Sequence, residues 1–343
     1  ITAAEQNGLE PALMAPTGRA AKRLAISSGR DADTIHKALE ASVRETGRTY
    51  FERNEANPLE EDLIIVDEAS MLDISLFYHL LCALKDGARL ILVGDIDQLP
   101  PVGAGEPLKD LMSWGYVPIV RLKRIFRQEE GSGIVENAAL IRKGEMCVPD
   151  EAGEFRIIYA ADDEDAYRIV MDLCRELNYG NEENKMLLQV LSPMYRGVCG
   201  VDHLNKSLQE MIHGEKVPDG MKFFPGDKVM QTRNDYEKGI YNGDVGTVWT
   251  ATPQKVFVRY FDKEVVYEGE ERFDLRLAYA VTVHKSQGSE YETVIFILRP
   301  SQHNMLQRNL LYTGVTRARK NTILVTAPDA LRRALAIQHT GNR

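Results

Sequence analysis

Short, almost continuously apolar runs recur along the chain and constrain most strongly what it can fold into. They are ALMA (12–15), LIIV (63–66), RLILV (89–93), LLQVL (187–191), AYAVTV (278–283), TVIFIL (293–298) and TILVT (322–326). Strands buried on both faces of a parallel sheet have this composition. Helical patterns separate the runs, for example at 18–27, 74–85, 162–177 and 328–337. The alternation predicts layered α/β domains built on parallel sheets.

The length of the chain and its turn-forming residues predict two domains. A chain of 343 residues is long enough for two hydrophobic cores. Helix and strand patterns are interrupted by Pro118, Gly131, Gly133, Gly144 and Pro149. We therefore place the boundary close to residue 122, which gives a first domain at 1–122 and a second at 123–343.

Two segments break the α/β pattern and predict inserts. Residues 41–58 hold TGRTYFERN between polar ends, which predicts a short hairpin in the first domain. Residues 222–276 have the pattern of short strands with tight turns, and Asn242-Gly243 is a strong turn signal. Because no helical pattern separates these strands, we expect a small all-β barrel inserted in the second domain.

Composition and charge exclude several classes of protein. The net charge of -9 disfavours a nucleic-acid binder that works by bulk charge. RLKRIFR at 121–127 concentrates cations in a way compatible with a local phosphate-binding cleft, but a solvated charged face is the commoner meaning of such a run. No apolar run approaches the roughly 20 residues that a bilayer span needs, so we expect no membrane partner. The four cysteines form no CxxC pair. They indicate a reducing, cytoplasmic setting and argue against a disulfide framework or a structural zinc.

The stretch LIIVDEAS, residues 63–70, joins a buried strand to two adjacent carboxylates, Asp67 and Glu68. Open α/β sheets bind ligands at the carboxyl ends of their strands. In phosphate-hydrolysing motors an Asp at this place holds Mg²⁺, and the following Glu polarises the attacking water. The alternative is a solvated strand end before a helix N-terminus, where acidic residues are also favoured. The stretch by itself leaves both interpretations open.

A second strand, in LILVGDIDQLPPVGAG at 90–105, opens into a loop that surrounds Gln98 with turn formers. A rigidly positioned Gln can hydrogen-bond a γ-phosphate or the water that attacks it. The loop follows the Asp67–Glu68 strand by about one βα unit. This order favours the phosphate-hydrolysis interpretation of both motifs.

Five motifs carry a resemblance to a known family. VDEAS (66–70), GDIDQLPPVGAG (94–105), FRQ (126–128), AYAVTVHKSQGSEY (278–291) and LLYTGVTRAR (310–319) occur in the order found in superfamily 1 helicases. They are most similar to the RecD type, the exodeoxyribonuclease V alpha-subunit family, over nearly the whole chain. The resemblance implies two RecA-like domains with ATP between them, an SH3-like barrel at 222–276, and a short duplex-splitting hairpin at 41–58.

The resemblance also implies a nucleotide site. Asp67 would be the Mg²⁺ ligand, Glu68 the general base and Gln98 the γ-phosphate sensor. The remaining implied residues, Arg127 and Arg317 facing the γ-phosphate, Gly288 beside the phosphates and Glu290 at the ribose, come from the second domain. The expected cofactors are therefore ATP and Mg²⁺.

A second set of residues is implied to contact DNA. They are Thr17 and Gly18 in APTGRAAKRL, His36 in TIHKAL, Pro101 and Val102 in the Gln98 loop, and Thr282, His284 and Lys285. The alternative role for Thr17 is a helix N-cap, and for His36 a structural histidine. The family implies single-stranded DNA and duplex ends or forks as partners, translocation from 5′ to 3′, and room for further helicase–nuclease subunits.

The Walker A sequence GxxxxGK[ST], which supplies the phosphate cradle, is absent from the chain. Because the chain begins at Ile1 with what looks like the end of a helix, we expect it to be a fragment of an ATP-driven DNA helicase, inactive without that loop. A non-catalytic single-stranded DNA binding module and an RNA helicase of the same superfamily are the alternatives. Retention of Asp67, Glu68 and Gln98 favours the DNA helicase, because a binding module has no use for hydrolytic groups.

Overall fold

The computed structural model describes residues 1–43, 49–122, 131–214, 222–235, 237–261 and 263–338. The chain separates into two units, Ile1–Arg121 and the chain from Leu122 onward. Among the described helices, none combines the length and the apolar character that a membrane crossing needs.

The first unit is built on a four-stranded parallel sheet. Its elements are α1 (Thr2–Gln6), β1 (Pro11–Ala15), α2 (Gly18–Ser28), β2 (Asp33–Thr34), α3 (Ile35–Ala38), β3 (Ala41–Val43), β4 (Thr49–Phe51), β5 (Leu63–Val66), α4 (Ile74–Cys82), β6 (Arg89–Leu92) and α5 (Pro107–Trp114). The strand order is β2–β1–β5–β6, and β3 and β4 form a separate antiparallel hairpin. Met14, Ile64, Val66 and Leu80 are fully buried in its core.

Capping side chains fix where the helices of the first unit begin. Thr17 Oγ1 accepts a hydrogen bond from Ala20 N at 3.3 Å, and Asp73 Oδ1 accepts one from Leu76 N at 2.8 Å. Each cap satisfies an N–H group that the first helical turn would leave unpaired. Helices α2 and α4 therefore begin within a few residues of the strand or turn that precedes them.

Strand β6 lies at an edge of the first sheet, although its sequence predicts burial on both faces. Within the described residues it pairs only with β5. Ile91 and the adjoining Val93 are 46% and 45% exposed. The expectation of burial is therefore wrong for β6 in this structure, because its second edge has no partner strand among the described residues. An apolar edge of this kind is a template for pairing with a further strand.

The second unit combines a five-stranded parallel sheet with an antiparallel barrel. Its elements are α6 (Gly133–Lys143), β7 (Phe155–Tyr159), α7 (Asp163–Glu176), α8 (Glu182–Leu187), β8 (Leu188–Ser192), α9 (Val201–His213), β9 (Lys228–Gln231), β10 (Val245–Ala251), β11 (Lys255–Arg259), β12 (Glu264–Glu268), β13 (Leu275–Leu277), β14 (Ala280–Thr282), β15 (Tyr291–Leu298), α10 (Arg308–Val315), β16 (Ala318–Thr326) and α11 (Pro328–Ala336). The parallel order is β14–β8–β15–β16–β7.

Strands β8 and β15 run through the centre of this sheet, and Val190, Ile295 and Phe296 are fully buried there. Helix α10 approaches them closely because it carries Gly314. A Cβ at Gly314 would lie 2.5 Å from Phe296 Cε1, so no larger residue fits without displacement. The glycine of the LLYTGVTRAR motif is thus required by packing.

The barrel strands follow the order β12–β11–β10–β9–β13 and are antiparallel. Val229, Val248 and Val258 fill its interior, and the hydroxyl groups of Tyr260 and Tyr267 hydrogen-bond each other at 2.7 Å. Two parallel-sheet units, a hairpin in the first and a barrel in the second confirm the predicted fold class.

A buried carboxylate joins the barrel to the parallel sheet of the second unit. Asp227, which precedes β9, is fully buried. It accepts hydrogen bonds from Gln209 Nε2 (2.5 Å), His213 Nε2 (2.8 Å), Phe224 N (2.7 Å) and Tyr279 Oη (2.9 Å). Burial, followed by the nearby Asp227 charge, raises the pKa of Tyr279, which therefore stays a proton donor. Four donors from both parts of the unit thus converge on one side chain.

We predict that Asp227→Ala destabilises the second unit by about 3 kcal/mol, because buried donors lose their acceptor. Urea unfolding of a Trp114→Phe chain, in which only Trp249 reports, measures this. Asp172→Ala, at an exposed carboxylate of α7, is the control and should change the midpoint little. Equal midpoints for the two variants would contradict the joining role of Asp227.

Candidate nucleotide and nucleic-acid sites

Asp67 and Glu68 lie at the carboxyl end of β5, between the ends of β1 and β6. Asp67 N donates to Met14 O at 2.9 Å, and Asp67 Oδ1 accepts from Glu68 N at 2.9 Å. Glu68 adopts a left-handed backbone with φ 51° and ψ 36°. Such a conformation in a non-glycine residue costs energy and is concentrated at functional sites. The strand end therefore holds the backbone of Glu68 in a strained conformation.

The Gln98 loop is fastened to the turn that follows Glu68. Ala69 N donates to Val93 O at 2.8 Å. A Cβ at Gly94 would lie 2.8 Å from Ser70 N, so the two backbones touch where the glycine lies. A small depression beside this contact is lined in part by Ser70 and Gln98. The structure thus brings the carboxylate pair and the Gln98 loop together on one sheet edge.

Asp67 and Glu68 fit a magnesium–phosphate ligand. Mg²⁺ is commonly held by one or two carboxylates, with water and substrate phosphates completing its six oxygen ligands. Within the described residues no group of three or more His, Cys, Asp and Glu side chains could hold a metal alone. Two carboxylates are the donors that a protein commonly gives to Mg²⁺ when phosphates and water supply the other ligands.

Thr17, His36, Pro101 and Val102 occupy different settings in the first unit. Thr17 caps α2, which is the alternative role that the sequence left open for it. Helix α2 begins at the next residue, Gly18. His36 is half-buried, its ring centroid 5.8 Å from that of Phe51, and burial lowers the pKa of His36 more than Asp73 raises it. Pro101 is half-buried. Val102 is 85% exposed. Of these groups, the α2 N-terminus has the geometry that binds phosphate.

In the second unit, Gly288, Glu290 and Arg317 gather where β15 and β16 begin. Gly288 has φ 70°, a conformation that favours glycine. The buried Arg317 donates to Ser289 O and Thr313 O, each at 3.1 Å. Arg317 therefore holds the 288–290 turn against α10. Arg127 lies outside the described residues.

Thr282 ends β14, and His284 and Lys285 follow it, at the opposite end of the same sheet. Thr282 pairs with Ser192 at the end of β8, whereas Thr293 of β15 pairs with Leu188 at its start. Four residues of extended strand separate these levels by about 13 Å. The loop from 283 to 290 therefore connects the predicted DNA-contacting residues to the predicted nucleotide-contacting ones.

The barrel contacts this loop through Asn242, a residue that the sequence indicated only as part of a turn. Lys285 Nζ donates to Asn242 Oδ1 at 2.7 Å. Thr282 Oγ1 accepts from Lys285 N at 3.2 Å. Burial lowers the pKa of His284. The Asn-Gly pair signalled a turn, but no sequence signal indicated its partner 43 residues away.

Three family profiles match the chain. The AAA domain matches residues 1–156, the SH3 domain of ATP-dependent RecD-like DNA helicases matches 204–260, and the UvrD-like helicase C-terminal domain matches 277–325. The SH3 profile and the barrel overlap, and the C-terminal profile spans the loop that contains Thr282 and Glu290. The AAA match extends past the first unit into β7, so its end differs from the end of that unit.

Two relatives extend over nearly the whole chain. The ATP-dependent RecD2 DNA helicase of Deinococcus radiodurans is 39% identical over 339 residues, which are 98% of this chain and 45% of that protein. The RecBCD enzyme subunit RecD of Mycolicibacterium smegmatis is 32% identical over 367 residues, covering 97% of this chain and 65% of that protein. The chain thus spans about half to two-thirds of the length of these relatives.

Solved structures share the fold. Bacteroides Pif1 bound to single-stranded DNA aligns with a TM-score of 0.57 at 21% identity, covering 94% of this chain and 84% of that one. Candida albicans Pif1 gives 0.54 at 19% identity, covering 98% and 88%. The architecture is that of helicases with two RecA-like domains. Together with the profiles and relatives, it shows that the chain belongs to the RecD-type family of superfamily 1.

We predict that Gly94→Ala shifts the Gln98 loop and destabilises the first unit by about 1–3 kcal/mol, because the added methyl meets the Ser70 backbone. Urea unfolding of a Trp249→Phe chain, reported by Trp114, measures the change. Val102→Ala alters an exposed side chain of the same loop and should be close to neutral. An unchanged midpoint for Gly94→Ala would show that the loop is not fastened there.

Proposed function

We propose that the protein containing this chain is an ATP-dependent DNA helicase motor that moves along single-stranded DNA from 5′ to 3′. The observation that carries the proposal is the strained Asp67–Glu68 turn fastened to the Gln98 loop in a chain of the RecD-type family. A binding module would not need a carboxylate pair held at the ligand-binding edge of a sheet.

Three residues of the first unit have separate roles in the proposed hydrolysis of ATP. Mg²⁺ bound to the triphosphate would neutralise its charge, and Asp67 is the residue placed to hold that cation. Glu68 accepts the proton of the attacking water from a backbone position that is held in the left-handed conformation. The amide of Gln98 orients the same water or the γ-phosphate. Each role requires only a side chain that already lies at this edge.

The second unit supplies groups for the nucleotide and couples them to DNA. Arg317 and Arg127 stabilise charge on the transferred phosphoryl group, Gly288 lets backbone approach the phosphates, and Glu290 contacts the ribose. The 283–290 loop links this end of the sheet to the DNA-contacting end. Because Arg317 also holds the 288–290 turn, Arg317→Lys is the variant that best separates charge from bracing.

The phosphate cradle would come from a Walker A segment encoded upstream of residue 1. Two apolar surfaces of the first unit support this proposal. The open edge of β6 exposes Ile91 and Val93, and the segment after α5 exposes Tyr116 and Val120 at 80% and 86%. A further apolar parallel strand beside β6 would cover the open edge and place its carboxyl end at the same edge of the sheet as Asp67, with β6 between them.

DNA would contact both units through separate groups. In the first unit the contacting residues are Thr17 and Gly18, at the α2 N-terminus. His36, Pro101 and Val102, which lie in motifs that resemble those of the family, complete the set. In the second unit the contacting set is Thr282, His284 and Lys285. Backbone contacts of this kind position the strand without reading its sequence. The relatives named as DNA helicases support DNA, and competition with matched RNA would reveal a motor for RNA instead.

Membership of the family also supports proposals about partner subunits, DNA substrates and cellular compartment. The M. smegmatis relative is a subunit of the RecBCD enzyme, so further helicase–nuclease subunits are proposed partners, and duplex ends or forks proposed substrates. The free cysteines, three of them buried, are compatible with the reducing cytoplasm.

We predict that Glu68→Gln in the upstream-extended protein lowers ATP hydrolysis by about 10²–10⁴-fold, because only the proton-accepting group is lost. Binding of nucleotide and DNA should persist. Phosphate release with single-stranded DNA measures hydrolysis, and Glu60→Gln, at an exposed carboxylate before β5, is the control. Near-normal turnover by Glu68→Gln would show that Glu68 is not the general base.

We predict that residues 1–343 alone bind Mg-ATP weakly and do not turn it over, since no Walker A lysine or backbone cradle neutralises the triphosphate. Calorimetric titration with Mg-ATP and a phosphate-release assay measure this. Adding the upstream segment should restore both activities. Steady turnover by residues 1–343 would show that another part of this chain replaces the cradle.

A further inference from the structure

Aromatic rings connect the hairpin of the first unit, formed by β3 and β4, to helix α4. Phe51, the last residue of β4, is buried. Its ring centroid lies 4.5 Å from that of His79 in α4, and the two ring planes are tilted by 36°. The ring of His36 in α3 lies 5.8 Å from the same phenyl ring. Both distances are those of interacting aromatic pairs, so the base of the hairpin is packed against two helices.

Polar contacts fix the places where the chain enters and leaves the hairpin. Arg53 N donates to Leu39 O at 3.3 Å, and Arg53 Nε donates to Glu40 Oε1 at 2.9 Å. Glu40, which precedes β3, has φ 52°, a conformation that costs energy in a non-glycine residue. Beyond the hairpin, Leu59 N donates to Ala83 O at 2.8 Å, and Ala83 ends α4. The base of the hairpin is therefore tied to the ends of both α3 and α4.

The first turn of α4 contacts the end of the Gln98 loop. Ile74 N donates to Ala104 O at 2.8 Å. A Cβ at Gly103 would lie 2.1 Å from Oδ2 of Asp73, the residue that caps the helix. Because the loop backbone touches the helix at these two points, the position of α4 depends on the position of the loop.

Helix α4 therefore connects the Gln98 loop to the hairpin. Its nine residues extend over about 13 Å. Phe77 and Leu80 bury one side of the helix in the core of the first unit, in the same cluster as Phe51. Close-packed interiors transmit strain, so a displacement of the loop would reach the hairpin through this helix.

We propose that Phe51 and His79 are positioning residues for duplex separation, and that α4 holds the hairpin at a fixed distance from the Gln98 loop. The inference rests on the proposed function, because it assumes that the motor drives a duplex against the hairpin. The contact between the two rings then determines how many base pairs are separated for each ATP. His79 lies more than one helical turn from the end of α4 that contacts the loop, so hydrolysis and movement along a single strand do not require its ring.

The test uses the upstream-extended protein and measures phosphate release with single-stranded DNA, movement along that strand, and separation of a forked duplex. His79→Ala should lower the number of base pairs separated per ATP by about threefold to tenfold, the range expected for the loss of one aromatic pair. Phosphate release and movement along the single strand should be unchanged. His79→Phe keeps an aromatic ring beside Phe51 and should retain the wild-type number of base pairs per ATP.

Leu81→Ala is the matched control, because Leu81 is 43% exposed and lies on a different side of α4 from His79. It should leave all three rates unchanged. Phe51→Leu removes the other ring of the pair. The double variant Phe51→Leu/His79→Ala should separate about as many base pairs per ATP as His79→Ala does, since both changes remove the same contact.

Four results would overturn the inference. If His79→Ala separates as many base pairs per ATP as the wild type, the ring contact has no positioning role. If phosphate release and duplex separation fall in proportion, His79 is a structural residue and the positioning role is refuted. If the wild type hydrolyses ATP and moves along DNA but separates no duplex, the role of the hairpin is refuted while the motor stands. If DNA does not stimulate hydrolysis by the wild type, the proposed function and this inference are both refuted.

Discussion

The first unit depends on the pairing of β5 between β1 and β6. Because its neighbours fix the strand on both sides, the chain must leave the sheet at Asp67, and the hydrogen bond from Asp67 N to Met14 O sets that exit. The next residue takes a left-handed conformation, and the turn that follows touches the Gly94 backbone. Two carboxylates and an amide loop thus acquire fixed places from ordinary sheet pairing. Hydrolytic chemistry requires that preorganisation more than it requires any one contact.

In the second unit, one loop connects the two opposite ends of a single sheet. Thr282 leaves β14 at the carboxyl end, and Tyr291 enters β15 at the amino end, so the eight intervening residues cross the sheet. Arg317 holds the far end of this loop, and Asn242 of the barrel contacts the near end through Lys285. The buried Asp227 keeps the barrel in place against the sheet. A displacement at either end of the loop would therefore be transmitted along a short, braced segment.

Much of this fold follows from sequence where an element is apolar and continuous. LIIV predicts β5 at its observed bounds because both faces of that strand are covered. The two-residue β2 and the edge strand β7 escaped prediction, since Asp33 and Arg156 interrupt their apolar character. The exposure of Ile91 was also missed, because apolar sequence shows that a side chain prefers burial but not whether a partner strand is present.

The sites were less predictable than the strands. Asp67 and Glu68 directly follow a predicted strand and Gln98 lies in the loop after the next one, so the sequence indicates all three as candidates. The left-handed backbone of Glu68 has no sequence signal in a non-glycine residue. The contact between Lys285 and Asn242 depends on strand order in the barrel. Contacts across such sequence separations arise from topology, which local patterns do not encode.

We propose that these two units are parts of a DNA-driven ATPase. The most direct measurement is the initial rate of phosphate release by the upstream-extended protein, with and without single-stranded DNA, at saturating Mg-ATP. We expect slow hydrolysis without DNA and a large stimulation by DNA. Hydrolysis that DNA leaves unchanged, or no hydrolysis in either condition, would contradict it.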